Sequence, residues 1–150
     1  MSGIRWVAAA AASIAVAGAL GAGCASKPRH RRLAIVLQAD ADRHEGLARA
    51  LHALLYAEEA RQGGHEVVLI LDGAGTAWAP LLRDPSHKLH ARWAKLRGLG
   101  VVEEICDYCA GAFKVKDRVK SMSEANLVAE FEGHPSLRKW LDAGYEVLVL

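Results

Sequence analysis

With 52% hydrophobic and 24% charged side chains in 150 residues, the chain can close one core of ordinary size and is too apolar for disorder. A net charge of +2 gives no footing for a nucleic-acid partner.

The first segment has the layout of an export signal. Arg5 supplies a positive start, Val7 to Leu20 is apolar, and small residues precede Cys24. The run is shorter than the roughly 20 residues a spanning helix needs. Ala22-Gly23-Cys24 resembles a bacterial lipoprotein signal, although Gly21 stands where a large aliphatic residue is usual. The expectation is a signal peptide over 1–23, lipidation at Cys24 and a basic tether over 24–32, followed by an α/β domain over 33–150. A plain cleaved signal and an uncleaved anchor are the other readings. Lys27, Arg29, His30, Arg31 and Arg32 then sit beside the acyl group, where basic residues add attraction to anionic headgroups; a solvated tether explains them as well. The expected location is the cell envelope, lipid-anchored, facing the periplasm or the exterior.

Leu33 to Leu37 is a continuous apolar run, the pattern of a strand covered on both faces. From Arg43 to Arg61 the apolar spacing turns helical, and Gly63-Gly64 stops it. Val67 to Leu71 reads as a second buried strand and Asp72 to Thr76 as the turn at its end. Gly73-Ala74-Gly75 begins like a phosphate loop, but Trp78 stands where its third glycine belongs, so a plain turn is expected. Ser86 to Arg97 carries helical spacing, and Val101 to Ile105 is a third strand. A helix then runs to about Lys120, Leu127 to Phe131 alternates as a fourth strand, Pro135 opens a helix through Leu141, and Tyr145 to Leu150 is the last strand. Strand alternating with helix in this way predicts an α/β fold with a mainly parallel five-stranded sheet and helices on both faces.

Cys106 and Cys109 carry the most information. Their C-x-x-C spacing, directly after the third strand, places them at the sheet edge where such folds build sites. Two such thiols can close a disulfide, pass sulfur between them or share a metal; as small apolar residues they also suit a core. A helix N-terminus here is expected to lower the Cys106 pKa against the opposition of Asp107. His134, before Pro135, is a loop residue that can approach the thiols as an auxiliary group. A zinc site from Cys106, Cys109 and His134 has weak support from a single C-x-x-C, and His87 with His90 and Asp84 lacks a further ligand. No metal and no cofactor is therefore expected. A thioredoxin-type protein is disfavoured, because the pair follows a late strand and no cis-proline candidate faces it.

Ala57 to Val67 followed by Asp72-Gly73, then Gly100 to Ala110 around the cysteines, then Gly144 to Val147, resemble the DsrE/DsrF-like family. The likeness spans Leu33 to Leu150, and the cysteine region is its specific part. It implies a small flavodoxin-like fold and assembly into trimers or hexamers. In the best-understood members it also implies a sulfur-relay role, in which the position matching Cys106 carries persulfide. The export signal and the second cysteine depart from the cytoplasmic relay proteins. The expected function is an anchored domain handling sulfur or thiol redox equivalents with an unknown sulfur or thiol partner, Cys106 attacking and Cys109 resolving. A non-catalytic, oligomeric envelope module with a structural disulfide is the alternative. Trp78, Trp93 and Trp140 are candidate contacts between subunits.

Overall fold

The computed structural model describes residues 30–150. The signal segment 1–23, Cys24 and the tether up to residue 29 lie outside the described residues. In chain order the elements are β1 (Arg32–Leu37), α1 (His44–Gln62), β2 (Glu66–Leu71), a 3₁₀ turn (Gly73–Ala77) running into α2 (Trp78–Arg83), and α3 (His90–Gly98). Then follow β3 (Val102–Cys106), α4 (Asp107–Ala112), α5 (Lys116–Lys120), β4 (Leu127–Val128), α6 (Leu137–Asp142) and β5 (Glu146–Val149).

The strands form one sheet in the order β4-β3-β2-β1-β5, and every pairing is parallel. From β1 the chain steps outward in one direction to β4, then returns past β1 to β5. Right-handed crossovers therefore lay the helices of the first three connections on one face and the helix of the last on the other. The core divides accordingly. Ile35, Leu37, Leu69, Leu71 and Ile105 face α1, α2, α3 and α5 through Leu54, Ala57, Leu82, Leu96 and Val119. Ala34, Val36, Val68 and Ile70, pointing the other way, form a smaller cluster with Trp140, Tyr145 and Val147 packed against it. The expected α/β class and parallel sheet are present, with helices on both faces but most of them on one.

The details depart from the sequence expectations for identifiable reasons. The turn after β2 continues as helix, because Gly75 lets the backbone press against β1: a Cβ there would lie 1.9 Å from the Leu37 carbonyl oxygen. Trp78 then enters the core, 1% exposed, its indole N–H donating to the Ala39 carbonyl at 2.9 Å. It is a core residue and not the subunit contact that its size suggested. The helix expected from Ser86 begins at His90, since the Asp84 carboxylate accepts from the Ser86 N–H at 2.9 Å and hydroxyl at 2.7 Å and holds a turn there. The helix expected to run from the cysteines to Lys120 breaks at Lys114, which has φ 58°. There Val115 N–H reaches the Ala110 carbonyl and Lys114 N–H the Gly111 carbonyl, a Schellman closure without glycine. β4 stops at Val128 rather than Phe131. Arg31 pairs with Glu146, and Arg32 with Glu66 and the Ala143 carbonyl, so the end of the basic segment docks on the sheet and β1 begins at Arg32.

Candidate functional site

Parallel register builds the site at the C-terminal edge of the sheet. Leu37 pairs with Leu71 and Leu71 with Ile105, so the next residues, Gln38, Asp72 and Cys106, stand in a row across three strands. Gln38 Nε2 donates to Asp72 Oδ2 at 2.9 Å. Cys106 is the N-cap of α4, and its sulfur accepts the Cys109 N–H at 3.3 Å. One helical turn later the Cys109 thiol donates to Asp72 Oδ1 at 3.3 Å.

His134, expected as a loop residue, arrives just beyond Glu130 and Phe131, the residues that were expected to continue β4. Phe131 and His134 pair through both backbone hydrogen bonds across Glu132 (φ 48°) and Gly133 (φ 87°), a two-residue reversal with positive φ at both central positions. The Gly133 carbonyl accepts from Tyr108 N–H at 3.0 Å, which ties this reversal to the first turn of α4. The imidazole thereby reaches the thiols, its Nδ1 lying 3.2 Å from Cys106 Sγ, 3.6 Å from Cys109 Sγ and 3.9 Å from Asp72 Oδ1. The Tyr108 ring packs beside it at 4.9 Å between centroids. One donor atom from each of Asp72, Cys106, Cys109 and His134 lies within 4.8 Å of every other. Both cysteines are free thiols.

The structure thus brings together Cys106, Cys109 and His134 and adds Asp72, which sequence reasoning read only as a turn residue. Its signal was position: an acid directly after a buried strand, beside the strand that ends in the cysteine. His87 and His90 stay apart from this cluster; His90 Nδ1 contacts the Leu82 carbonyl at 2.8 Å. Cys24 lies outside the described residues.

The electrostatics correct one expectation. Burial pushes the Cys106 thiol well up, and the neighbouring Cys109 thiol and Asp72 add to the rise, against the opposing Cys109 N–H. The first turn of so short a helix does not lower it. Burial pushes the Cys109 thiol up too. Burial also works against the Asp72 carboxylate, but Gln38, the Gly73 N–H and the two thiols outweigh it and hold its pKa below the ordinary range. Asp107 turns away, paired with Lys116 at 2.6 Å. The resting arrangement is therefore a carboxylate receiving hydrogen bonds from neutral thiols, with a half-exposed imidazole as the nearest base.

A thiol pKa raised by folding has a definite signature. Its contribution is intact below the unfolded thiol pKa of about 8.5 and is lost as pH rises toward the folded value, because the unfolded chain ionises first. Stability should fall between about pH 8.5 and 10, by at most about 1.4 kcal/mol per pH unit for each thiol. Urea unfolding across that range should show the fall in the wild type and a shallower one in Cys106→Ser. A flat wild-type profile contradicts the buried neutral dithiol.

A family model settles which lineage built this edge, for the DsrE/DsrF-like family matches residues 31–150. The chain belongs to the DsrE/DsrF-like family. An uncharacterized protein from Methanocaldococcus jannaschii is 37% identical over 100 residues, covering 67% of this chain and 78% of that protein. A conserved protein of unknown function from Bacteroides thetaiotaomicron has a similar solved structure. It has a TM-score of 0.56 and 17% identity, and the match covers 79% of this chain and 94% of that one. At that identity the likeness speaks for the fold. Within the DsrE-like frame, the chain carries one cysteine at the end of the third strand and the other in the first turn of α4.

Proposed function

We propose that this DsrE-like domain accepts and passes on sulfane sulfur through Cys106, with Cys109 as the resolving thiol. The contact of two thiols with one imidazole at the end of β3 carries this reading. His134 Nδ1 takes the Cys106 proton, and the imidazolium stays against the thiolate, supplying the charge that burial otherwise denies it. The thiolate attacks the outer sulfur of a persulfide donor, forming Cys106–S–SH. The donor leaves as its thiolate and takes up a proton. A thiol acceptor can then remove the outer sulfur. Alternatively, Cys109 attacks Cys106 Sγ, closes the disulfide and releases hydrosulfide, after which a dithiol reductant must reopen the pair.

The same proposal includes export, lipid anchoring through Cys24 and self-assembly. The signal-like start with its small residues before Cys24 supports anchoring, and the family resemblance supports assembly. The non-catalytic module with a structural disulfide is the competing proposal.

The test is to expose reduced protein to a low-molecular-weight persulfide, trap it with an alkylating agent and locate added sulfur by peptide mass spectrometry. One extra sulfur on Cys106 is expected. Unmodified thiols after exposure, alkylated only once the chain is denatured, identify the pair as core and sink the reading.

A further inference from the structure

We propose that Asp72, Cys106, Cys109 and His134 together form a four-ligand site for a thiophilic divalent cation, of which zinc fits the donors best. This inference does not rest on the sulfur-transfer reading.

Distances support it first. Zinc bonds of about 2.3 Å to sulfur and 2.0–2.2 Å to nitrogen and oxygen, in a tetrahedron, imply ligand-to-ligand separations of about 3.4–3.8 Å. The structure gives 3.2 Å and 3.6 Å from His134 Nδ1 to the two sulfurs, 3.3 Å from Cys109 Sγ to Asp72 Oδ1 and 3.9 Å from His134 Nδ1 to that oxygen. The two remaining separations, from Cys106 Sγ to Cys109 Sγ and to the Asp72 carboxylate, fall within 4.8 Å, so a cation centred among the four would draw the ligands together by up to about 1 Å, within the freedom of side-chain torsions. The donors come from four separate places: the end of β2, the end of β3, the first turn of α4 and the reversal before α6. That spread encloses a point, whereas a C-x-x-C alone presents only an edge.

Outer contacts support it second. A ligating carboxylate is typically held by a further hydrogen bond, and Gln38 Nε2 provides one to Asp72 Oδ2, leaving Oδ1 toward the sulfurs. The Cys109 N–H points at Cys106 Sγ and would relieve thiolate charge there. With Nδ1 turned inward on a half-exposed ring, His134 keeps Nε2 as the other nitrogen to carry the proton.

Chemistry chooses the metal class. Two thiolates and an imidazole select against magnesium and calcium, which take oxygen donors. A carboxylate as fourth ligand is a poor partner for monovalent copper and a common one for zinc. With four protein ligands the site is closed, so the bound metal would not itself present an open coordination position. It would occupy the Cys106 sulfur to which the proposed function assigns sulfane sulfur, so under that separate proposal metal binding and sulfur loading exclude each other.

The test uses the full chain, reduced and metal-free, carrying Cys24→Ser to remove the one thiol outside the cluster. Titration with Co²⁺, then competition with Zn²⁺, reads the site without any sulfur donor. One equivalent is expected, with a thiolate-to-cobalt charge-transfer band and the strong visible bands of tetrahedral coordination. Cys106→Ser and Cys109→Ser should each abolish the charge-transfer spectrum or weaken binding by more than about 100-fold, His134→Ala and Asp72→Asn by at least about tenfold, and Gln38→Ala by about tenfold. Circular dichroism of the metal-free variants checks that each is folded. No charge-transfer band in the parent chain overturns the proposal. So does binding that survives Asp72→Asn and His134→Ala undiminished in folded protein, since the cysteines would then be a simple dithiol chelator. Sulfur loading of the metal-free protein is measured separately, so either idea can fail alone.

Discussion

Cys106→Ser should reduce sulfur uptake from a persulfide donor to background, while Cys109→Ser should retain uptake and lose release as hydrosulfide. The two thiols differ in what surrounds them. The Cys106 sulfur receives a backbone N–H from Cys109 and has the closer contact with His134, both of which favour its thiolate once the imidazole takes the proton. Cys109 instead donates a hydrogen bond to Asp72, and that bond holds it as a thiol until the first step is over. Burial makes both reluctant acids, so their first ionisation belongs to the pair and His134 is needed to balance it. His134→Ala should therefore slow uptake by about 10²-fold or more, as for a lost general base, without preventing folding. Trapping time courses on the three variants separate the roles. Equal total loss in both cysteine variants, or loss in Cys109→Ser alone, reverses the assignment.

The second large effect is structural and lies at Gly75. Replacing it by Val should unfold or severely loosen the β1–β2 end of the sheet, costing at least the upper end of the about 1–3 kcal/mol typical of overpacking. The clash is with backbone, since the Leu37 carbonyl oxygen would be 1.9 Å and its carbon 2.7 Å from a Cβ, and neither can swing aside. The same turn fixes Asp72, whose carbonyl accepts the Gly75 N–H at 2.8 Å, so the site should loosen with it. Gly98→Ala is the matched control. It ends α3 with nothing within 4 Å of an added Cβ, and should gain up to about 0.5–1 kcal/mol. Urea midpoints moving in opposite directions are the expected outcome; a Gly75→Val protein as stable as wild type would contradict the packing described.

β1 and β2 announced themselves as continuous apolar runs and β3 as a β-branched stretch after Gly100, and all three lie within a residue of where the pattern put them. The late start of α3 and the break at Lys114 come from local bonds, but the failures that shape the site involve contacts distant in sequence. Gly75 and Trp78 look like turn punctuation until β1 is known to pass beneath them. The end of β4 is legible only once Glu130 is seen bonded to Ser136 and Lys139, with Glu132 and Gly133 reversing the chain behind it. The cysteine pair was visible as a motif and His134 as a neighbour that could reach it. Asp72 was not, because its meaning comes from strand register and not from spacing along the chain. Nor was the pKa direction: the short α4 offers a helix start, yet burial outweighs it, a balance no local pattern records.

The most direct measurement of the central claim is the reduction potential of the Cys106–Cys109 pair, obtained by equilibrating purified protein against glutathione and dithiothreitol redox buffers and counting alkylated thiols. A pair that cycles through sulfur or thiol exchange should equilibrate in the range of working dithiols, about −270 to −180 mV. A disulfide that serves only to brace the fold should lie below about −300 mV, and that value would contradict the account.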